Sequence, residues 1–279
     1  DMVLSLNGIP VVAIELKNQF TGQDVNDSRE QWMYNRNPKE PLFHFDNRIL
    51  AYFGCDLYEA IMATELKGEK TYFMPFNQGS NGAGNVGGAG NPPSEDGDYA
   101  TSYLWKKVLR RDVLLAILQR YIMRQEETTI SLIMDKHGKE KEVKHTSTKI
   151  IFPRYHQLDA VEKLIHDTAK NGAGKNYLIQ HSAGSGKSNS IAWLTYRLAS
   201  LHNSENTNIF NGVFVITDRR VLNHQLQNTI LGFEHVEGAV TTITEKDANA
   251  SEKLQEATNA EKTGIVITNL PRFPQTYQE

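Results

Sequence analysis

The hydrophobic pattern changes its period near the middle of the chain. Over the first half, apolar runs of strand length stand at Met2 to Leu6, Pro10 to Leu16, Ile49 to Phe53 and Thr71 to Pro75, with a polar helical stretch near Asn26 to Arg36. This predicts a mixed α/β sheet. A helical stripe follows in Tyr103, Leu104, Val108, Leu115, Leu118 and Ile122. The second half alternates. Helix Ala160 to Lys170, strand Tyr177 to Gln180, helix Ser188 to Leu201, strand Val213 to Thr217, a helix after Arg220 and strand Ile265 to Thr268 predict a parallel sheet, because parallel strands need crossover helices.

Two segments interrupt this pattern. Between Gly79 and Gly97 lie 7 of the 20 glycines, with Asn81, Asn85, Asn91 and Pro92-Pro93, a composition that predicts a flexible surface loop. A charged stretch, Asp135 to Lys144, follows the apolar stripe. The predicted organisation is a first domain over 1–135, a linker over 136–148 and a second domain over 149–279.

Composition narrows the classes. A length of 279 residues suits two domains of roughly 150 residues each. With 39% hydrophobic and 23% charged residues the chain can bury a core, so disordered and fibrous classes are excluded. The longest aliphatic run, Val113 to Leu118, cannot span a bilayer, so no membrane partner is expected. The single cysteine, Cys55, excludes an internal disulfide and a thiolate metal cluster and fits a reducing cytosol. A net charge of −3 confines any nucleic-acid contact to a local patch. The chain opens with Asp1-Met2 inside a strand pattern and stops soon after another, so it is expected to be part of a longer protein.

The second half carries a phosphate-binding pattern. Tyr177-Leu178-Ile179-Gln180 runs into His181-Ser182-Ala183-Gly184-Ser185-Gly186-Lys187-Ser188, then into a helix with Ile191, Leu194, Leu198 and Leu201 on one face. Strand, glycine loop and helix follow in the order a P-loop requires. Ala183, Gly184, Ser185 and Gly186 would wrap backbone N–H groups around phosphate oxygens at a helix N-terminus. Lys187 would reach the β and γ phosphates of ATP, and Ser188 would offer its hydroxyl to Mg²⁺. His181 stands where the first glycine is usual. Gly-Lys-Ser alone is also a turn followed by an N-cap, so the flanking elements carry the reading. Upstream, Gln157 has the donor and acceptor needed to pair with an adenine edge, although a lone glutamine is usually a surface amide.

The first half carries a second pattern. Glu15-Leu16-Lys17 ends an apolar strand, so period two places Glu15 and Lys17 on one face. Asn7-Gly8 signals a hairpin. A two-residue loop would pair Asp1 with Ile14, whereas a three-residue loop, Asn7-Gly8-Ile9, pairs Asp1 with Glu15 and gathers Met2, Leu4, Leu6, Pro10, Val12 and Ile14 on the other face. The apolar pattern favours the latter. Two facing carboxylates offer hard oxygens to Mg²⁺, and the Lys17 ammonium can position water and steady charge at phosphorus. That predicts a metal-dependent phosphodiesterase site, with a salt-bridged, solvated strand edge as the alternative.

Asp1 with Glu15-Leu16-Lys17, followed by Gln31 and Tyr34, resembles the PD-(D/E)xK nuclease core, with a Gln-to-Tyr spacing of three where that motif has four. The second half resembles a RecA-like superfamily 2 motor domain. Together with Phe73-Met74-Pro75-Phe76-Asn77, Phe152-Pro153-Arg154-Tyr155-His156-Gln157 and Thr217-Asp218-Arg219-Arg220, these segments resemble the restriction (R) subunit of type I restriction-modification enzymes. The resemblance implies an α/β fold with a nuclease domain joined to an ATP-driven translocase on double-stranded DNA, incomplete at both ends. It also implies partner modification (methyltransferase) and specificity subunits, in the cytoplasm of a bacterium or archaeon. By the same resemblance Asp1 and Glu15 would hold Mg²⁺, Lys17 would assist water, Gln31 and Tyr34 would orient the site, and Arg219, Arg220 and Thr268 would lie near the DNA backbone. No Asp-Glu box follows Thr268 to Phe273, so this segment alone is expected to bind ATP weakly and to hydrolyse it poorly.

Overall fold

A computed structural model describes residues 1–79, 88–94, 96–134, 140–217, 220–233, 238–243, 247, 249–260 and 263–269. The chain divides into two compact units, Asp1–Tyr155 and His156–Glu279. The first is a mixed α/β unit, as the apolar runs predict. Strands β1 (Met2–Leu6), β2 (Ile9–Leu16), β3 (Ala51–Cys55), β4 (Ala60–Ala63) and β5 (Met74–Pro75) form one sheet in that order. Only β2 and β3 pair in parallel; the other neighbours are antiparallel. The crossover between β2 and β3 contains helix α1 (Val25–Glu30), which runs on as a π-helical turn over Gln31–Asn35. Asp24 starts α1 with a reciprocal cap: its carboxylate accepts from the N–H groups of Asn26 and Asp27, and Asp27 accepts from that of Asp24.

Position in the sheet decides burial. β1 lies at the edge and stays largely exposed, whereas β2 has neighbours on both sides and is buried from Pro10 to Glu15. On one face Ala13, Trp32, Phe43, Ile49, Tyr52 and Leu66 form a core cluster. Trp32 anchors it, donating from Nε1 to the Phe53 carbonyl at 3.0 Å and meeting Tyr52 edge-on at 5.3 Å between ring centroids. Cys55 is a small buried core residue; burial pushes its thiol up to about 11, which keeps it unreactive.

The β1–β2 hairpin reaches its register by an unexpected route. Leu6 pairs with Ile9, so the turn has two residues, Asn7 and Gly8, with φ of 50° and 83°. Both positive values fit a type I′ turn. A bulge follows: Ser5 pairs with Pro10 but Leu4 with Val12, which leaves Val11 as the extra residue on β2. Pro10 has no N–H to give the ladder, so the irregularity costs little there. Beyond it Val3 pairs with Ala13 and Met2 with Ile14, which brings Asp1 opposite Glu15. The three-residue loop is therefore corrected to a two-residue turn plus a bulge, which shift the register by the same one residue.

The remainder of this unit contains a π-helical turn over Leu104–Val108, helix α2 (Arg111–Arg120) and an antiparallel ribbon of β6 (Met123–Met134) and β7 (Glu140–Ile151). The expected linker over 136–148 is corrected: 140–148 belong to β7, and 136–139 lie outside the described residues. Alternating charge and β-branched residues reads as a solvated linker, yet it also suits a ribbon exposed on both faces. The base of the glycine-rich loop is ordered by Asn91, which donates to the Tyr58 carbonyl at 2.8 Å and accepts from the Gln78 N–H at 2.8 Å; residues 80–87 and 95 are outside the described set.

In the second unit α3 (Tyr155–Asn171), α4 (Lys187–Ala199), α5 (Arg220–Leu231) and α6 (Ala250–Asn259) accompany β8 (Gly212–Thr217), β9 (Val240–Thr242) and β10 (Gly264–Asn269). The three strands form a parallel sheet in the order β8-β10-β9. The predicted strand over Tyr177 to Gln180 is corrected. Those residues are not paired into the sheet, and Leu178 is 92% exposed. A strand is a property of a pair, and the apolar run alone cannot supply the partner. Among the described residues no helix is long and apolar enough to cross a membrane.

The close seat of α1 on β3 depends on Gly54, the direct partner of Glu15 in the ladder. A Cβ at Gly54 would lie 2.1 Å from the Ser28 Oγ and 3.0 Å from the Ile61 Cγ1. We expect Gly54→Ala to destabilise the protein by about 1–3 kcal/mol in urea unfolding, and Ser28→Ala in the same chain to recover part of that loss. An unchanged midpoint for Gly54→Ala would show that α1 is not held in this way.

Candidate functional site

Two clusters of polar side chains hold the residues singled out by the sequence, one in each unit. In the first, Glu15 sits on the face of β2 covered by α1 and its π-helical extension, and only 1% of it is exposed. Its Oε1 accepts from the Arg36 Nε at 2.9 Å and also from Nη2. The same Nη2 reaches the Asp1 Oδ2 at 3.1 Å, so one guanidinium joins both carboxylates. Glu15 Oε2 is buried without a hydrogen-bond partner among the described residues. Lys17, one residue past β2, donates from Nζ to the Gln31 Oε1. The fold thus joins Asp1 to Glu15 through Arg36, and Lys17 to Gln31.

The donor set fits a hard divalent cation. Two carboxylates face each other, and one keeps a buried oxygen that no protein donor satisfies, a costly arrangement for an anion unless a cation can reach it. No group of three or more His, Cys, Asp or Glu residues able to hold a metal occurs among the described residues, so a cation here would complete its shell with other oxygens. Tyr34 is 63% exposed on the π-helical turn and is not among the residues joined here. Sequence reasoning missed Arg36. Two residues before a proline, at the end of a helical stretch, it reads as an ordinary solvated cation.

In the second unit the glycine loop leads directly into α4. Gly184 and Gly186 have φ of 72° and 81°, the left-handed region that glycine adopts without strain. Gly186 is the N-cap of α4 and, among the described residues, no side chain caps that end; the Asn189 N–H already bonds the Gly186 carbonyl, which leaves those of Lys187 and Ser188 to face an anion. A Cβ at Gly184 would meet nothing within 4 Å, which leaves the mouth open, whereas one at Gly186 would lie 2.4 Å from the Gln157 Nε2. Lys187 is exposed, and its Nζ donates to the carbonyls of Ser182 at 2.8 Å and His181 at 3.3 Å. Ser185 Oγ is buried without a partner among the described residues. This cradle fits a polyphosphate: a helix start without a side-chain cap, an exposed ammonium at its rim and a hydroxyl in reserve.

Two side chains from the start of α3 brace the loop. Gln157, 3% exposed, donates from Nε2 to the Gly186 carbonyl at 2.8 Å, and the His156 Nε2 lies 2.9 Å from the Ser185 carbonyl. Gln157, expected to read an adenine edge, has its amide buried against the loop backbone. Thr268, expected beside a DNA backbone, is 0% exposed in the central strand β10, because a central parallel strand is buried on both faces. Arg219 lies outside the described residues, and Arg220 opens α5.

With this geometry in view, the relationships of the chain are informative. Residues 156–279, essentially the second unit, match the SWI2/SNF2 ATPase family. The chain is 25% identical over 241 residues to the Methanocaldococcus jannaschii protein named "Putative type I restriction enzyme MjaVIIIP endonuclease subunit". That alignment covers 84% of this chain and 20% of the relative, so the chain spans about one fifth of the protein it matches. None of the solved structures matches the chain.

His181 has a testable titration. Burial first, and the Lys187 charge second, hold its imidazole below the ordinary value of 6.5. A depressed folded value means that folding favours the neutral ring, so this contribution to stability is complete above the unfolded value and is lost as pH falls through the folded one. The unfolding midpoint should therefore drop between pH 7 and pH 5, and His181→Asn should flatten part of that drop. An identical pH slope in the variant would rule the coupling out.

Proposed function

We propose that this chain is the nuclease and leading motor segment of an ATP-dependent restriction endonuclease of the type I kind, which moves along double-stranded DNA and cuts unmethylated DNA. The observation that carries this reading is that Asp1, just ahead of β1, shares the Arg36 guanidinium with buried Glu15 of β2, with Lys17 one residue beyond the strand. The similarity to a restriction endonuclease subunit and to an ATPase family supports it. On this reading DNA is the substrate, modification and specificity subunits complete the assembly, and the enzyme works in the cytoplasm.

Each residue has a chemical task. Asp1 and Glu15 hold a divalent cation, the natural choice being Mg²⁺. Bound there, the cation supplies Lewis-acid polarisation of the scissile phosphate and a more acidic water. Lys17 places its ammonium beside the developing negative charge at phosphorus, and Gln31 orients Lys17 through their hydrogen bond. In the second unit Ala183, Gly184, Ser185 and Gly186 wrap the phosphates of ATP. Lys187 leaves the His181 and Ser182 carbonyls for the more highly charged phosphate oxygens, and Ser188 offers its hydroxyl to the accompanying Mg²⁺. Gln157 and His156 hold the loop in shape. Arg219 and Arg220 are candidates for DNA contact; Thr268 supports the sheet.

A second reading has one observation in its favour. Arg36 already bridges the carboxylate pair and offsets one of its two charges, as it would in an ATP-gated DNA-binding or remodelling motor whose first unit is a non-catalytic docking module. The two readings separate in the full-length protein assembled with its partners on circular unmethylated DNA with Mg²⁺ and ATP. Glu15→Ala should abolish cutting and spare ATP hydrolysis, whereas Lys187→Ala should abolish both. Undiminished cutting by Glu15→Ala would remove the nuclease reading.

A further inference from the structure

The two carboxylates of the first unit already have a cation, and it belongs to the chain. One guanidinium nitrogen of Arg36 bridges the Asp1 Oδ2 and the Glu15 Oε1, and its Nε adds a second bond to the same Glu15 oxygen. Arg36 rests on the Trp32 ring at 5.9 Å from Cζ to the ring centroid, and Trp32 is itself fixed by its bond to Phe53. The Arg36 side chain is 29% exposed and that of Asp1 52%, so the arginine has a way out to solvent that Glu15 does not.

We propose that Arg36 is the resident counter-ion of this pair and is displaced when a divalent cation binds. The inference rests on the reading of Asp1 and Glu15 as a cation site. A guanidinium cannot lose its charge in the physiological range and cannot act as a Lewis acid, so while it bridges the pair the site is stable and inert. One positive charge leaves the two carboxylates with an excess negative charge, and the buried Glu15 Oε2 remains without a donor among the described residues. A dication cancels both charges and can reach that oxygen. Exchange then turns on whether Arg36 finds another anion at the mouth of the site, and a nucleic-acid phosphate matches its fork. Arg36 is a positioning residue here: it sets metal affinity and does not touch reacting atoms.

The test is Mn²⁺ binding to the full chain without nucleotide, followed by electron paramagnetic resonance, together with the melting temperature in EDTA and in Mn²⁺. Arg36→Met keeps the stem over Trp32 and removes the charge. It should bind Mn²⁺ about ten-fold more tightly or better, the scale of losing one competing charged hydrogen bond. It should melt lower than the native chain in EDTA and recover in Mn²⁺. Adding Glu15→Gln to Arg36→Met should abolish the gain. Arg36→Lys, which keeps a charge but loses the fork, covers the case in which the methionine variant does not fold in EDTA, and should show a smaller gain of the same sign. Equal, Glu15-dependent Mn²⁺ affinity in the native chain and in both variants would overturn the exchange while leaving the cation site standing. No Glu15-dependent binding in any of them would overturn both.

Discussion

A carboxylate buried on the second strand of a sheet is the constraint on which the first unit is built. Glu15 is flanked by paired strands on both sides and lies under a helix, so water cannot solvate its charge. An isolated buried anion is among the costliest features a fold can carry, and it survives only if cations and donors are brought to it. The local architecture delivers them. The bulge after Pro10 sets Asp1 opposite Glu15, Gly54 lets α1 lie close on β3, and the π-helical turn that extends α1 brings Gln31 beside Lys17 and the chain on to Arg36.

The second unit handles charge in the same manner with different parts. Lys187 rests on two carbonyls of its own loop, while Gln157 and His156 grip the loop backbone from α3. Each site therefore parks its cation on protein oxygens of lower or already shared charge. A ligand with more charge can claim it at modest cost, because the supporting backbone is already in place.

Much of this was legible in the residues because local rules suffice for it. The Asn7-Gly8 turn, the alternation of helices and strands from Lys187 onward and the glycine loop before Lys187 all follow from dihedral preference and period. The meeting of Asp1 with Glu15 was also legible, though by a different count: a turn of two with one bulged residue shifts register as a turn of three does. The charged run after Asp135 misled, since a two-stranded ribbon exposed on both faces has the composition of a linker.

What the sequence by itself determined was which residue types stand at which spacing, and hence the α/β class, the carboxylate hairpin and the glycine loop. Only the tertiary structure decided who their partners are. Arg36 is separated from Glu15 by 21 positions and from Asp1 by 35, and no periodicity links such distances. Gln157 is buried against a loop 29 residues away, Thr268 lies inside the sheet, and Tyr177 to Gln180 finds no neighbouring strand among the described residues. The reason is the same in each case: dihedral preference and amphipathic period act within a few residues, whereas burial, pairing and charge compensation depend on what the folded chain brings alongside.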